Sequence, residues 1–123
     1  MPEPILAAAC VAAIVTFAVH TFVGGRYAAR PLLADTRLPR ASKWLNYFCW
    51  HVVTVLLAIL AAVLGAGALG QVHADAIRLV AVIAASISVT SVAVTLKAGI
   101  PPLRFPATYL LAIVAGLAAW GSL

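Results

Sequence analysis

Four stretches of this chain, about 5–23, 44–69, 77–96 and 106–121, run almost without charge. Between Ile5 and Val23 only Thr16, His20 and Thr21 interrupt nineteen residues of apolar sequence. As a helix rising about 1.5 Å per residue, that stretch reaches roughly 28 Å, close to the thickness of bilayer hydrocarbon. The chain has 123 residues, 65% hydrophobic and 9% charged, whereas soluble domains carry about a quarter charged residues. Water could not solvate such a surface, so the expected fold is an all-α membrane protein, a single transmembrane domain over residues 1–123. Its short connections predict an antiparallel four-transmembrane-helix bundle.

The charges set the expected orientation. Arg26, Arg30, Arg37, Arg40, Lys43, Lys97 and Arg104 fall on the first and third connections, and Arg78 alone falls on the second. By the positive-inside rule the first and third connections are cytoplasmic, and both N- and C-termini face outside. The first connection reads as a loop from Gly24 to Lys43, with Pro31 and Pro39 preventing one uninterrupted helix. Met-Pro-Glu-Pro at the start carries no basic side chain, so the first span is expected to be retained rather than cleaved as a signal peptide. Trp44, Tyr47, Phe48 and Trp50 suit the membrane interface. The setting this implies is a multi-pass protein of a bacterial inner membrane.

Ionisable side chains at membrane depth are the most informative, because each is costly unless paired or hydrated. His20 lies six residues before Arg26 and His51 eight after Lys43, about 9 and 12 Å from the cytoplasmic boundary. Inward rotation of their helices would bring the two imidazoles together. Thr16 and Thr54 stand at helical spacing from them, with Ala58, Ala61 and Gly65 continuing the second stripe. The third span adds Ala81, Ala84, Ser88, Ser91 and Thr95 at three- and four-residue steps, and the fourth adds Tyr109. The sharp expectation is one polar pocket in the cytoplasmic half, lined by Thr16, His20, His51, Thr54, Ser91, Thr95 and Tyr109. Arg26 and Arg30, one helical turn apart, would draw an anionic group to its mouth. Gly24 and Gly25 could turn backbone N–H groups toward it.

Other readings compete. Histidine and hydroxyl side chains in spans commonly satisfy one another, which would make the network purely structural. A haem or metal ion held by His20 and His51 is the cofactor alternative. Cys10 and Cys49 read as small buried hydrophobes rather than as a disulfide or zinc framework. His73, Asp75 and Arg78 read as a solvated turn with an interfacial ion pair. Basic residues flanking apolar spans describe membrane orientation, so nucleic acid is not an expected partner. Small residues four apart (Ala61 and Gly65, Ala66 and Gly70, Ala112 and Gly116) permit close packing within the chain or between copies. The expected partners are the lipid bilayer, a homo-oligomer of the chain, and an anionic lipid or small molecule.

The segment His-Thr-Phe-Val-Gly-Gly-Arg (His20 to Arg26), followed by Arg30-Pro31-Leu32-Leu33 and Trp50-His51, resembles a group of uncharacterised small bacterial four-helix membrane proteins. Many of those carry Glu where this chain has Gly25. The likeness covers the first half and implies a four-helix membrane fold with no assigned activity. Asn46 after a basic segment, with Arg104 and Tyr109, is more loosely similar to the membrane-associated proteins of eicosanoid and glutathione metabolism. That likeness implies a glutathione-dependent membrane enzyme, although Cys49 stands where that family has an acid. The reading that best unites these features is a small membrane binding or transport module built around the two histidines.

Overall fold

The computed structural model describes residues 3–123; Met1 and Pro2 of the Met-Pro-Glu-Pro start lie outside them. Among the described residues every regular element is helical. The first is a continuous rod of three parts: α1 (Glu3–Ala18), a π-helical stretch (Val19–Ala29) and α2 (Arg30–Ala34). α3 (Arg40–Ala68), α4 (Ala74–Lys97) and α5 (Pro106–Gly121) follow, with a single 3₁₀ turn at Pro102–Arg104 ahead of α5. Three helices, Glu3–Ala34, Arg40–Ala68 and Ala74–Lys97, are long and apolar enough to cross a membrane. α5 has 16 residues, the same as the stretch 106–121 expected for it, but at about 24 Å it is shorter than the roughly 30 Å of bilayer hydrocarbon.

The first connection departs most from expectation. No loop begins at Gly24: the helix continues to Ala34, through Pro31. Proline in an α-helix strikes the carbonyl four residues back and removes a hydrogen bond. Here the preceding turns have moved to the wider i→i+5 register, in which the Arg30 N–H reaches the Gly25 carbonyl, and that shift displaces the carbonyl Pro31 would meet. The non-helical link is therefore only residues 35–39. Asp35 shapes it, its Oδ1 accepting the N–H groups of Arg37 (2.7 Å) and Leu38 (3.2 Å). Lys43 Nζ donates to the Leu33 carbonyl at 3.1 Å, tying the start of α3 to the end of α2.

The other helix ends stop for a recognisable backbone reason. After α3, Gln71 N–H bonds the Ala66 carbonyl and Gly70 N–H that of Gly67. After α4, Ile100 N–H bonds the Thr95 carbonyl and Gly99 N–H that of Leu96. Both patterns need a left-handed residue at the penultimate position, and Gly70 and Gly99 supply it with φ of 70°.

Each helix buries a narrow stripe at steps of three and four. In α1 it is Leu6, Ala9, Ala13 and Thr16; in α3, Leu57, Leu60, Leu64 and Gly67; in α5, Thr108, Leu111, Val114, Ala118 and Gly121. The remaining faces are apolar and exposed, as a helix against lipid requires. Because lipid is as apolar as these side chains, close backbone approach has to supply the packing energy. The small residues of α1 allow it to lie between α3 and α5, while α5 also packs on α4 and α3 meets α4 only sparsely. Leu6 is the keystone of one end, reaching Gly67 of α3 and Gly121 of α5, with Ile77 of α4 also over Gly67.

Three sequence expectations change here. The α3 stripe is leucine-rich, and Ala58, expected on it, is exposed. Cys49 is exposed rather than buried, and Cys10 is half-buried with its thiol donating to the Ala61 carbonyl of α3 at 3.4 Å. Of the small pairs, Gly65 packs near Cys10, whereas Gly116 faces open space.

Candidate functional site

The π-helical stretch is the centre of the site. Its two faces line two separate cavities, and Trp50, about three turns into α3, lines both. Long π-helical turns are rare, and their single-turn relatives concentrate at functional sites.

On one face, the His20 imidazole stacks on the Trp50 indole, ring centres 4.0 Å apart and 17° from parallel. The stack fits because Gly24, four residues on, has no side chain: a Cβ there would stand 2.5 Å from Trp50 Cη2. His20 Nε2 lies 3.2 Å from the Trp50 carbonyl and 3.1 Å from Thr54 Oγ1. Thr54 Oγ1 in turn donates to the Trp50 carbonyl at 3.1 Å. That donation uses the only hydroxyl proton, and a carbonyl only accepts, so the geometry calls for a proton on Nε2 shared between the two oxygens. Nδ1 has no partner among the described residues, yet it is not one of their sealed polar atoms.

This network forms one wall of a cavity of about 540 Å³. Apolar side chains of the π stretch, α3, α4 and α5, among them Val53, Leu57, Ile87 and Leu111, make up most of the lining. Its polar members are few: Thr16, His20, Tyr27, the Trp50 indole and Arg104. Thr16 Oγ1 is committed to the Ala12 carbonyl at 2.7 Å. Arg104 is exposed, so its guanidinium belongs to the mouth.

On the other face, Arg26, Arg30, Tyr47, His51, Thr21 and Thr54 line a cleft of about 430 Å³. His51 is exposed and meets the Tyr47 ring edge-on, centroids 4.5 Å apart. Its position one residue after Trp50 turns it to the cleft, about 100° round α3.

The single pocket expected around two facing histidines is therefore divided. His20 and Thr16 reach the larger cavity; His51, Thr54, Arg26 and Arg30 reach the cleft. Ser91, Thr95 and Tyr109 line neither. The α4 seam is buried as expected but faces α5. Ser88 Oγ donates to the Thr108 carbonyl at 2.6 Å, Ser91 and Thr108 share a hydroxyl contact at 2.8 Å, and Thr95 Oγ1 back-bonds to Ser91 and Val92. Tyr109 is 41% exposed, because the helical step from buried Thr108 carries it off the packed face. The backbone N–H groups of Gly24 and Gly25 lie within a helical stretch rather than a ligand-facing loop.

The arrangement also bears on metal and haem. No group of three or more His, Cys, Asp or Glu side chains converges among the described residues. The two imidazoles lean on different aromatic rings and open to different cavities, so they do not offer paired axial ligands within the chain. Of the residues behind the glutathione-enzyme likeness, Arg104 reaches the larger cavity, while Asn46 is exposed with its amide donating to the Ser42 carbonyl at 2.8 Å.

Trp50 and Arg104 in the larger cavity, and Thr21 and Tyr47 in the cleft, are not among the site residues expected from sequence. Trp50 was assigned to the interface, although Trp50, Thr54, Leu57 and Ala61 form a stripe at helical spacing that could have turned it inward. Arg104 stood out only through the enzyme likeness. Comparison of the chain with protein-family models, characterised proteins and solved structures finds no match. Fold and site together define a helical protein with three membrane-capable helices and two cavities beside a π-helical segment.

Proposed function

We propose that this chain is a non-enzymatic membrane binding module for an amphiphile, its apolar part in the larger cavity and its anionic head at Arg104. One observation carries the reading: a largely apolar cavity of about 540 Å³ lined, among the described residues, by a single cation, Arg104, and by the His20 imidazole, whose Nδ1 has no partner among them. Ligand pockets commonly fall in this size range and combine apolar walls with a few placed polar groups. His20 Nδ1, its lone pair free, is available to a hydroxyl or amide donor near the ligand's head.

The wider reading is an antiparallel, four-span homo-oligomer of the bacterial inner membrane, with basic connections in the cytoplasm and termini outside. Two features support its antiparallel topology and orientation: the seven-to-one basic asymmetry, and Leu6 of α1 lying against the far ends of α3 and α5. α5 would then cross with local thinning of the bilayer, a modest cost per ångström.

The test uses purified protein in zwitterionic nanodiscs titrated with a spin-labelled fatty acid that quenches tryptophan. Trp44→Phe and Trp120→Phe leave Trp50 as the reporter. Saturable quenching is expected. Ala107→Phe, filling the cavity without adding a second tryptophan, should abolish it, and Arg104→Gln should weaken it about fivefold, the scale of one exposed charge interaction near 1 kcal/mol. Equal saturation in the single-tryptophan parent and in its Ala107→Phe variant would refute the reading.

A further inference from the structure

The cleft on the opposite side of Trp50 has a chemistry of its own and does not depend on the amphiphile reading. Its polar lining is rich in donors: the guanidinium groups of Arg26 and Arg30, the Tyr47 hydroxyl, the His51 imidazole and the Thr21 hydroxyl, while the Thr54 hydroxyl is already committed to the Trp50 carbonyl. No carboxylate lines it. Two arginines one turn apart on the same rod, with hydroxyl and imidazole donors facing them from α3, form a converging set for an anion.

Thr21 supplies a second, independent observation. While Thr108 meets the Ser91 hydroxyl, four other helical threonines return their hydroxyls to the carbonyl four residues back: Thr16 to Ala12, Thr54 to Trp50, Thr90 to Ser86 and Thr95 to Ser91. Thr21 does not, because it sits in the π-helical register where that spacing is lost. Its Oγ1 is the one buried side-chain polar atom without a hydrogen-bond partner among the described residues. An orphaned buried hydroxyl costs about 1–3 kcal/mol, a cost that a ligand oxygen in the cleft would remove once the Thr21 side chain turns about χ1 toward it.

We propose that this cleft binds a phosphate group, held by Arg26 and Arg30 with Thr21, Tyr47 and His51 as further donors. Phosphate fits better than carboxylate because its three or more acceptor oxygens can engage donors from both walls at once, whereas a carboxylate offers only two oxygens. The same chemistry is found in a phospholipid head and in a soluble phosphate ester, and the assay separates these sources.

Protein carrying Trp44→Phe and Trp120→Phe, so that Trp50 alone reports, is placed in phosphatidylcholine nanodiscs and titrated with inorganic phosphate at constant ionic strength. In a second arm the discs contain increasing phosphatidic acid and no free phosphate. A saturable change of Trp50 emission is expected in at least one arm: a response to free phosphate identifies a soluble ester, and a response to phosphatidic acid alone identifies a lipid head. Arg26→Gln and Arg30→Gln should each weaken the response at least tenfold and Thr21→Val threefold or more. Arg37→Gln, basic but outside the cleft, should leave it unchanged. Absence of saturation in both arms, or equal weakening by Arg37→Gln and the cleft variants, would overturn the proposal. Because Ala107→Phe lies outside the cleft, it should bind phosphate normally, so failure here and failure of the amphiphile reading are distinguishable.

Discussion

Gly24 and Gly25 are neighbours in the same π-helical stretch, but alanine should act on them in opposite directions. A methyl at Gly24 would stand 2.5 Å from Trp50 Cη2 and 3.1 Å from Cζ2. Carbon atoms in ordinary contact sit about 3.5–4.0 Å apart, so the indole edge has to retreat by about 1 Å. That retreat tilts it off the His20 ring, now 4.0 Å away and 17° from parallel. An aromatic stack contributes about 0.5–1.5 kcal/mol, and a strained indole rotamer costs a similar amount. Against this, alanine is favoured over glycine in a helix by about 1 kcal/mol. A Cβ at Gly25 meets nothing within 4 Å, so that position receives the helical gain alone. Gly24→Ala should therefore be less stable than Gly25→Ala by about 1–2 kcal/mol, the sum of the partly lost stack and the rotamer strain. Reversible unfolding in mixed micelles with increasing dodecyl sulfate measures the difference, and Trp50 emission in the single-tryptophan background reports whether the stack has moved. Two variants agreeing within about 0.3 kcal/mol, the usual scatter of additive effects, would show that the indole yields freely and that Gly24 does not hold the site together.

The same logic applies at the opposite end of the bundle. Gly121→Ala would place a methyl 2.5 Å from Leu6 Cδ2 and 2.8 Å from its Cγ; Leu6 is buried and has no room to withdraw, so a loss of about 1–3 kcal/mol is expected, while Gly116→Ala, with nothing nearby, should gain about 1 kcal/mol from helix preference in the same unfolding assay. Ser88→Ala removes a 2.6 Å hydrogen bond from α4 to the first turn of α5 and should cost about 0.6–1.7 kcal/mol, the range for such bonds in membranes. Thr90→Ala, an exposed residue bonding only its own helix, should leave the unfolding midpoint in place; a midpoint equally low in both would deny Ser88 its role as an interhelical tie.

Much of the membrane character was legible because it depends on sums along the chain. Apolar runs of sufficient length must become helices whose backbone groups bond internally, and the placement of basic residues is visible without any fold. The α4 stripe of Ala81, Ala84 and Ser88 was legible too, since helical spacing marks a packed face. Its partner was not: periodicity says that a face is buried, never against what, and the answer was Thr108 on α5 rather than the histidines. The π-helical register left only Gly24-Gly25 as a trace, because nearest-neighbour preference hardly separates i→i+4 from i→i+5 bonding.

The order of residues thus determined which segments seek the bilayer and which connections are basic, since hydrophobic length and charge belong to the chain itself. Tertiary structure decided what the two histidines do. A rotation of about 100° between successive helical residues put Trp50 rather than His51 against His20, and the indole became a wall with an apolar cavity on one side and a ring of donors on the other.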